Sequence, residues 1–152
     1  YELVRRRCRY IVAVDAGADP GMGFGDLGNA VRRCRVDFGV DIRIDLNELQ
    51  PTEPGGRPQR CSVVGEVDYP RQGDAEGFTG RILFIKLGLP TELPLPADIL
   101  AYAREQPRFP HQPTTDQWFT EAQFESYRQL GFLIGANALQ SAKAMFADIR
   151  SK

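Results

Sequence analysis

Apolar and polar positions along the chain change period several times, and each change marks a predicted element. Leu3, Val4 and Cys8 form an i, i+4 apolar pair with a neighbour, and Glu2 stands i, i+4 from Arg6 as an ion pair, so residues 1–8 predict a helix. That helix opens on Tyr1 without a capping residue. Residues 10–14 (Tyr10-Ile11-Val12-Ala13-Val14) form an apolar, β-branched run that predicts a strand buried on both faces. A loop rich in Asp, Gly and Pro follows over residues 15–25. Asp26 is a suitable N-cap for a helix through about residue 37, with Leu27, Ala30, Val31, Cys34 and Phe38 on one face and Gly39 as its C′ residue. Residues 40–46 alternate with period two, as a half-buried strand does. Strand, helix and strand in this order predict a right-handed crossover unit and an α/β fold class.

Between Pro51 and Pro96 the pattern loosens, with seven Pro and seven Gly around two strand-like runs at 61–69 and 81–87. The link 70–79 contains Gly73, Asp74 and Gly77, which predicts a β-hairpin with a loose loop. Residues 97–105 predict a short helix that stops before Pro107, and two prolines hold 108–113 extended. Thr120-Glu121-Ala122-Gln123 has the form of a capping box opening a helix to Leu130. Gly131 is expected to end or bend that helix, with a second one over 132–149 that places Leu133, Ala136, Leu139, Lys143 and Phe146 in register. Three segments result: 1–50 as a strand-helix-strand core, 51–96 as a Gly/Pro-rich piece with two strands, and 97–152 as a helical tail.

Composition narrows the function classes. The 152 residues, 42% hydrophobic and 26% charged, suit one soluble domain or part of a larger one. Nineteen basic against twenty acidic residues exclude a chain-wide nucleic-acid polyelectrolyte. No apolar run approaches the ~20 residues of a membrane helix, and no signal peptide is visible. Sixteen of the basic residues are Arg, seven of them in two clusters: Arg5, Arg6, Arg7 and Arg9, then Arg32, Arg33 and Arg35. These could hold phosphate headgroups or an anionic membrane surface, or form solvated faces paired with Glu2 and Asp26. Cys8, Cys34 and Cys61 lack metal-type spacing and read as reduced, buried thiols, which favours a reducing intracellular compartment over secretion.

Individual motifs offer little chemistry. Gly23-Phe24-Gly25-Asp26-Leu27-Gly28 spells G-x-G-x-x-G with Asp45 about 20 residues on. However, eight residues separate it from the preceding strand, and Asp26 puts a carboxylate where a pyrophosphate would sit, so an ordinary loop is the better reading. Asp15 and Asp19 are too few ligands for a hard cation; Asp15 fits a turn or capping role, and Asp19, before Pro20, a turn. No G-x-S-x-G occurs: Ser62, Ser126, Ser141 and Ser151 have no nucleophile elbow. The lone His111, between prolines, reads as a hydrogen-bonding loop residue rather than a general base. No catalytic, cofactor-binding or metal residue is assigned.

Four stretches stand out: Tyr1-Glu2-Leu3-Val4-Arg5-Arg6-Arg7-Cys8-Arg9 with Val14-Asp15-Ala16-Gly17-Ala18-Asp19-Pro20, residues 28–39 from Gly28-Asn29-Ala30 to Asp37-Phe38-Gly39, Phe109-Pro110-His111-Gln112, and 116–128 from Asp116-Gln117-Trp118-Phe119 to Tyr127-Arg128. Together they resemble the C-terminal part of bacterial patatin-like phospholipase proteins. The likeness covers most of the chain and is most specific over 109–128. It implies part of a three-layer patatin-like sandwich. In that family a Ser–Asp dyad cleaves lipid acyl esters, with the Ser on an upstream G-x-S-x-G elbow, a Gly-rich turn as oxyanion hole, and the Asp in an Asp-Gly-Gly/Ala turn leading into the helix that matches residues 1–7. Asp15-Ala16-Gly17 is similar to that turn in composition but follows the helix, so no catalytic role passes to Asp15.

The resemblance implies a C-terminal structural portion of a lipid acyl hydrolase, inactive by itself and needing no cofactor. Its partners would be the N-terminal part of the same polypeptide, a lipid ester substrate and a membrane surface, with no nucleic acid. Cut from its neighbours, the strand at 10–14 would expose a sheet edge and leave the chain marginally stable and prone to associate. The alternative is a stand-alone α/β module that binds an anionic small molecule through loop 15–26 and the Arg clusters.

Overall fold

The computed structural model describes residues 1–113, 115 and 117–147. Helix α1 (Glu2–Arg5) leads into strand β1 (Tyr10–Asp15), helix α2 (Gly25–Phe38) and strand β2 (Asp41–Arg43). A single 3₁₀ turn at Asn47–Leu49 precedes the hairpin of β3 (Ser62–Tyr69) and β4 (Phe78–Lys86). Helices α3 (Ala97–Glu105), α4 (Glu121–Ser141) and α5 (Lys143–Ala147) complete the described chain. The fold is mixed α/β: one four-stranded sheet in the order β1-β4-β3-β2.

β1 pairs parallel with β4, whereas β4–β3 and β3–β2 are antiparallel. β1 and β2 therefore run parallel, as a strand-helix-strand crossover requires. The hairpin inserts between them, a placement that the local pattern of 10–46 does not contain. The two sheet faces carry separate cores. Ile11, Val67, Tyr69 and Ile82 face α1 and α2, where Val4 and Cys34 complete the cluster. On the other face Leu83 and Ile85 meet Ile99, Phe109, Leu130, Ile134 and Ala138 from the C-terminal helices. Leu83, Ile99 and Leu130 are fully buried, and each such side chain contributes roughly 1.5–3 kcal/mol.

Several elements differ from expectation. α1 is one turn, because Arg7 adopts φ +55 and leaves the helix. Its guanidinium donates to the carbonyls of Pro70 and Glu76 and lies over the rings of Tyr69 and Phe78, an anchor that outweighs helix continuation. The predicted Glu2–Arg6 pair forms at 2.7 Å, joined by Arg5. α2 is capped by Phe24 in the left-handed conformation, with Asp26 already in its first turn. Its buried stripe is the predicted one, and Gly39 closes it at φ +63.

β2 is only three residues long, although apolar and polar positions alternate through residue 46. The chain beyond Arg43 crosses over β3 at Gly65, where a Cβ would lie 2.5 Å from the Arg43 carbonyl oxygen and 2.6 Å from Ile44 Cγ1. That close crossing ends the ladder. α4 runs through Gly131 and breaks at Ala142 instead, since packing of Leu130, Ile134 and Ala138 against the sheet overrides glycine's propensity. The buried stripe is Leu130, Ile134, Ala138, Ala142 and Met145, so Ala136 and Leu139, expected inside, are exposed. Thr120 caps α4 as expected, its hydroxyl accepting from the Gln123 amide at 3.1 Å. The expected helix end at residue 149 lies outside the described residues.

Candidate functional site

β1 and β4 end side by side, with Asp15 opposite Lys86, and crevices outside the carboxyl ends of parallel strands are where α/β sheets hold ligands. Lys86 is 1% exposed. Its Nζ lies 3.0 Å from Asp15 Oδ2 and donates to the Gly17 carbonyl at 2.8 Å. The Gly17 amide in turn donates to Asp15 Oδ1 at 2.9 Å. Carboxylate, ammonium and peptide thus close a ring that ties the first residues of loop 16–24 to the sheet. A buried cation is tolerable only with such satisfaction.

The same loop is tied down at its far end. Asp19 Oδ1 accepts from the Gly23 amide at 3.0 Å and Oδ2 from the Phe24 amide at 2.8 Å. Burial works against an ionised Asp19, but those two amides, with Lys86 and His111, outweigh it and hold the carboxyl below its ordinary range. Met22 and Phe24 both adopt left-handed φ, at +47 and +53, which is uncommon for side chains of this bulk. Their side chains are buried against Leu49 and Phe84, and that packing sustains the strain.

This geometry explains why the glycine motif at 23–28 does not form a pyrophosphate turn. The amides that would face a phosphate are occupied by Asp19, and Asp26 stands in the first turn of α2. Asp19 is the turn residue expected, its carbonyl accepting from the Met22 amide at 3.0 Å, and its carboxylate closes the loop ahead of α2 rather than capping the helix. Asp15 and Asp19 take a lysine and backbone amides as partners, and among the described residues no group of three His, Cys, Asp or Glu side chains could hold a metal ion.

His111 joins the ensemble from the other end of the chain. Its Nδ1 accepts from the Asp19 amide at 3.2 Å, which assigns the neutral imidazole's proton to Nε2. Half-burial, then the charge of Lys86, lowers its pKa below the ordinary histidine value, partly offset by Asp19 and Asp15. It is a loop residue bonded to backbone, as expected. Ser126 is buried within α4, Ser62 and Ser141 lie in β3 and at the end of α4, and Ser151 lies outside the described residues.

The other candidates are engaged structurally. Arg35 pairs with Asp41 at 3.0 Å rather than with Asp26, Arg32 donates to Asn29, and Arg9 covers the Phe78 ring. All three thiols are free; burial raises Cys34 and pushes Cys61 up to about 12, which makes it a poor nucleophile. No described helix is long and apolar enough to cross a membrane.

The outer edge of β1 is the remaining conspicuous feature. Arg9 and Asp15 carbonyls accept from the Arg81 and Leu87 amides, so backbone groups of residues 9, 11, 13 and 15 face β4. By the two-residue alternation, those of Tyr10, Val12 and Val14 point away from the sheet. Val12 and Val14 are 44% and 69% exposed, which corrects the expectation of a strand buried on both faces. Apolar grooves flank this edge on both sides. One runs between Val14, Ile85, Leu87 and α4, and the other between Ile11, Ala13 and Leu27 of α2.

Lys86 is the site residue that sequence reasoning passed over. The available signal was one charged residue inside Ile82-Leu83-Phe84-Ile85-Lys86-Leu87, in a chain with three lysines. No family model, curated protein or solved structure matches the chain.

Proposed function

We propose that the chain is a non-catalytic structural portion of a patatin-like lipid acyl hydrolase, with the Ser–Asp dyad on polypeptide that precedes it. The observation that carries this reading is the outer edge of β1: backbone groups of Tyr10, Val12 and Val14 that point away from the sheet and meet no partner strand among the described residues, between apolar grooves above and below. A sheet that continued through this edge would gain a strand's backbone partners and bury both valines. In that arrangement the chain buttresses the catalytic turn through α1 and β1, and the exposed rings of Phe119, Phe124 and Phe132 are available to a lipid surface. The chain itself brings neither nucleophile nor base for acyl transfer, so it should be inactive alone.

The alternative, an anion held by loop 15–26 and the Arg clusters, has less support, because Asp19 occupies the loop amides and Arg5, Arg6, Arg7 and Arg35 have partners within the chain. The test is to read the coding sequence upstream of Tyr1 and assay the extended protein with a p-nitrophenyl acyl ester. The proposal expects an Asp-Gly-Gly/Ala turn directly upstream, a G-x-S-x-G farther back, esterase activity in the extended protein and none in residues 1–152. Hydrolysis by residues 1–152 alone, or an upstream frame without those motifs, overturns it.

A further inference from the structure

We infer that the cleft between the 51–58 turn and the 107–113 segment is a binding site for a small organic oxyanion with an apolar body. This does not rest on the proposed function, and no residue of either Arg cluster lines the cleft.

The cleft measures about 680 Å³, within the size range of small-molecule sites. Its walls are apolar: Met22, Leu89, Phe109 and prolines including Pro58, Pro110 and Pro113. Such walls lose little conformational entropy when they close on an apolar ligand. A sugar or a nucleoside would bury hydroxyls against them without partners. The ionisable groups in the lining are Arg57, Arg108 and His111, and no acidic side chain lies among them. The cleft therefore carries positive charge that its own walls leave uncompensated.

Two of these three groups are already oriented. Arg57 donates from Nε to the Leu89 carbonyl and from Nη2 to the Pro90 carbonyl, both at 2.8 Å. These partners are neutral, so they fix the guanidinium without cancelling its charge, and Nη1 has no hydrogen-bond partner among the described residues. His111 is held by the Asp19 amide at Nδ1, which leaves Nε2–H as a donor. Preorganised donors around an apolar wall are the arrangement that recognises a carboxylate or phosphate monoester on an acyl or aryl body.

The experiment titrates ¹⁵N-labelled residues 1–152 with decanoate, decyl phosphate, decanol and inorganic phosphate, following amide shifts. The expected result is saturable binding of decanoate or decyl phosphate, with shifts centred on Arg57, Leu89, Phe109 and His111. The tighter of the two identifies the head group. Decanol and inorganic phosphate should each bind at least about tenfold more weakly, since each lacks one half of the recognition. Arg108→Glu should weaken the preferred ligand by about tenfold or more, while Arg104→Glu, an equal charge change outside the lining, should leave it within about twofold. Equal binding of decanol, equal binding of inorganic phosphate, equal effects of the two charge reversals, or shifts centred elsewhere would each overturn the assignment.

Discussion

Replacing Asp15 by Asn tests the buried ring at the end of β1. Removing one partner of a buried ion pair costs about 3–5 kcal/mol, because the other charge stays uncompensated. Asp15 retains 19% side-chain exposure while Lys86 retains 2%, so some water reaches the carboxylate side. The lower end, about 3 kcal/mol, is the expected cost. Lys86→Met behaves differently: it removes the deeply buried charge, and the remaining carboxylate keeps the Gly17 amide and some solvent. Its cost should be about 1 kcal/mol or less. The double variant should then resemble Lys86→Met, giving a coupling of about 3 kcal/mol in the cycle, the full cost of Asp15→Asn. Urea denaturation followed by circular dichroism reads these differences as midpoint shifts; about 3 kcal/mol corresponds to roughly 1.5 M at the m-value of a small domain. Equal costs for the two single variants, adding in the double, would refute the claim that Asp15 serves to neutralise Lys86.

Two further outcomes follow from the geometry. Because burial and Lys86 hold folded His111 below the ordinary value of 6.5, the unfolded chain takes up that proton first as pH falls, so stability should decline from about pH 6.5 downward until the folded imidazole protonates too. His111→Asn lacks the titration and should lose less stability between about pH 7 and pH 5 in thermal melts; identical slopes would remove the effect. Gly65→Ala should destabilise by more than about 2 kcal/mol, because its Cβ meets backbone and a core side chain, whereas Gly28→Ala in α2, with nothing within 4 Å, should stabilise by about 0.5–1 kcal/mol. Denaturation midpoints that move in the same direction for both would contradict this.

Local signals in the sequence proved reliable where one element decides its own fate. The bounds of α3, the stripe of α2 around Cys34, the Gly39 cap and the antiparallel hairpin all followed from periodicity, caps and turn residues. What was illegible depends on distant neighbours. β2 ends where Arg43 crosses Gly65, and α4 passes through Gly131 because the sheet packs against Leu130 and Ile134. The apolar run at 10–14 reads as doubly buried, and nothing local says that it takes an outer position in this sheet. At the candidate site, the turn role of Asp19 was visible in the proline that follows it. The partnership of Asp15 with Lys86 was not, since 71 residues and a parallel register separate them.

The proposed structural role requires the outer edge of β1 to take a further strand. Amide hydrogen exchange on residues 1–152, alone and joined to the polypeptide encoded directly upstream, tests it residue by residue. In the chain alone, Tyr10, Val12 and Val14 should exchange quickly while Ile11, Ala13 and Asp15 are protected by β4, and joining the upstream polypeptide should slow the first three by about a hundredfold or more. Fast exchange at Tyr10, Val12 and Val14 that persists in the joined protein would contradict the account.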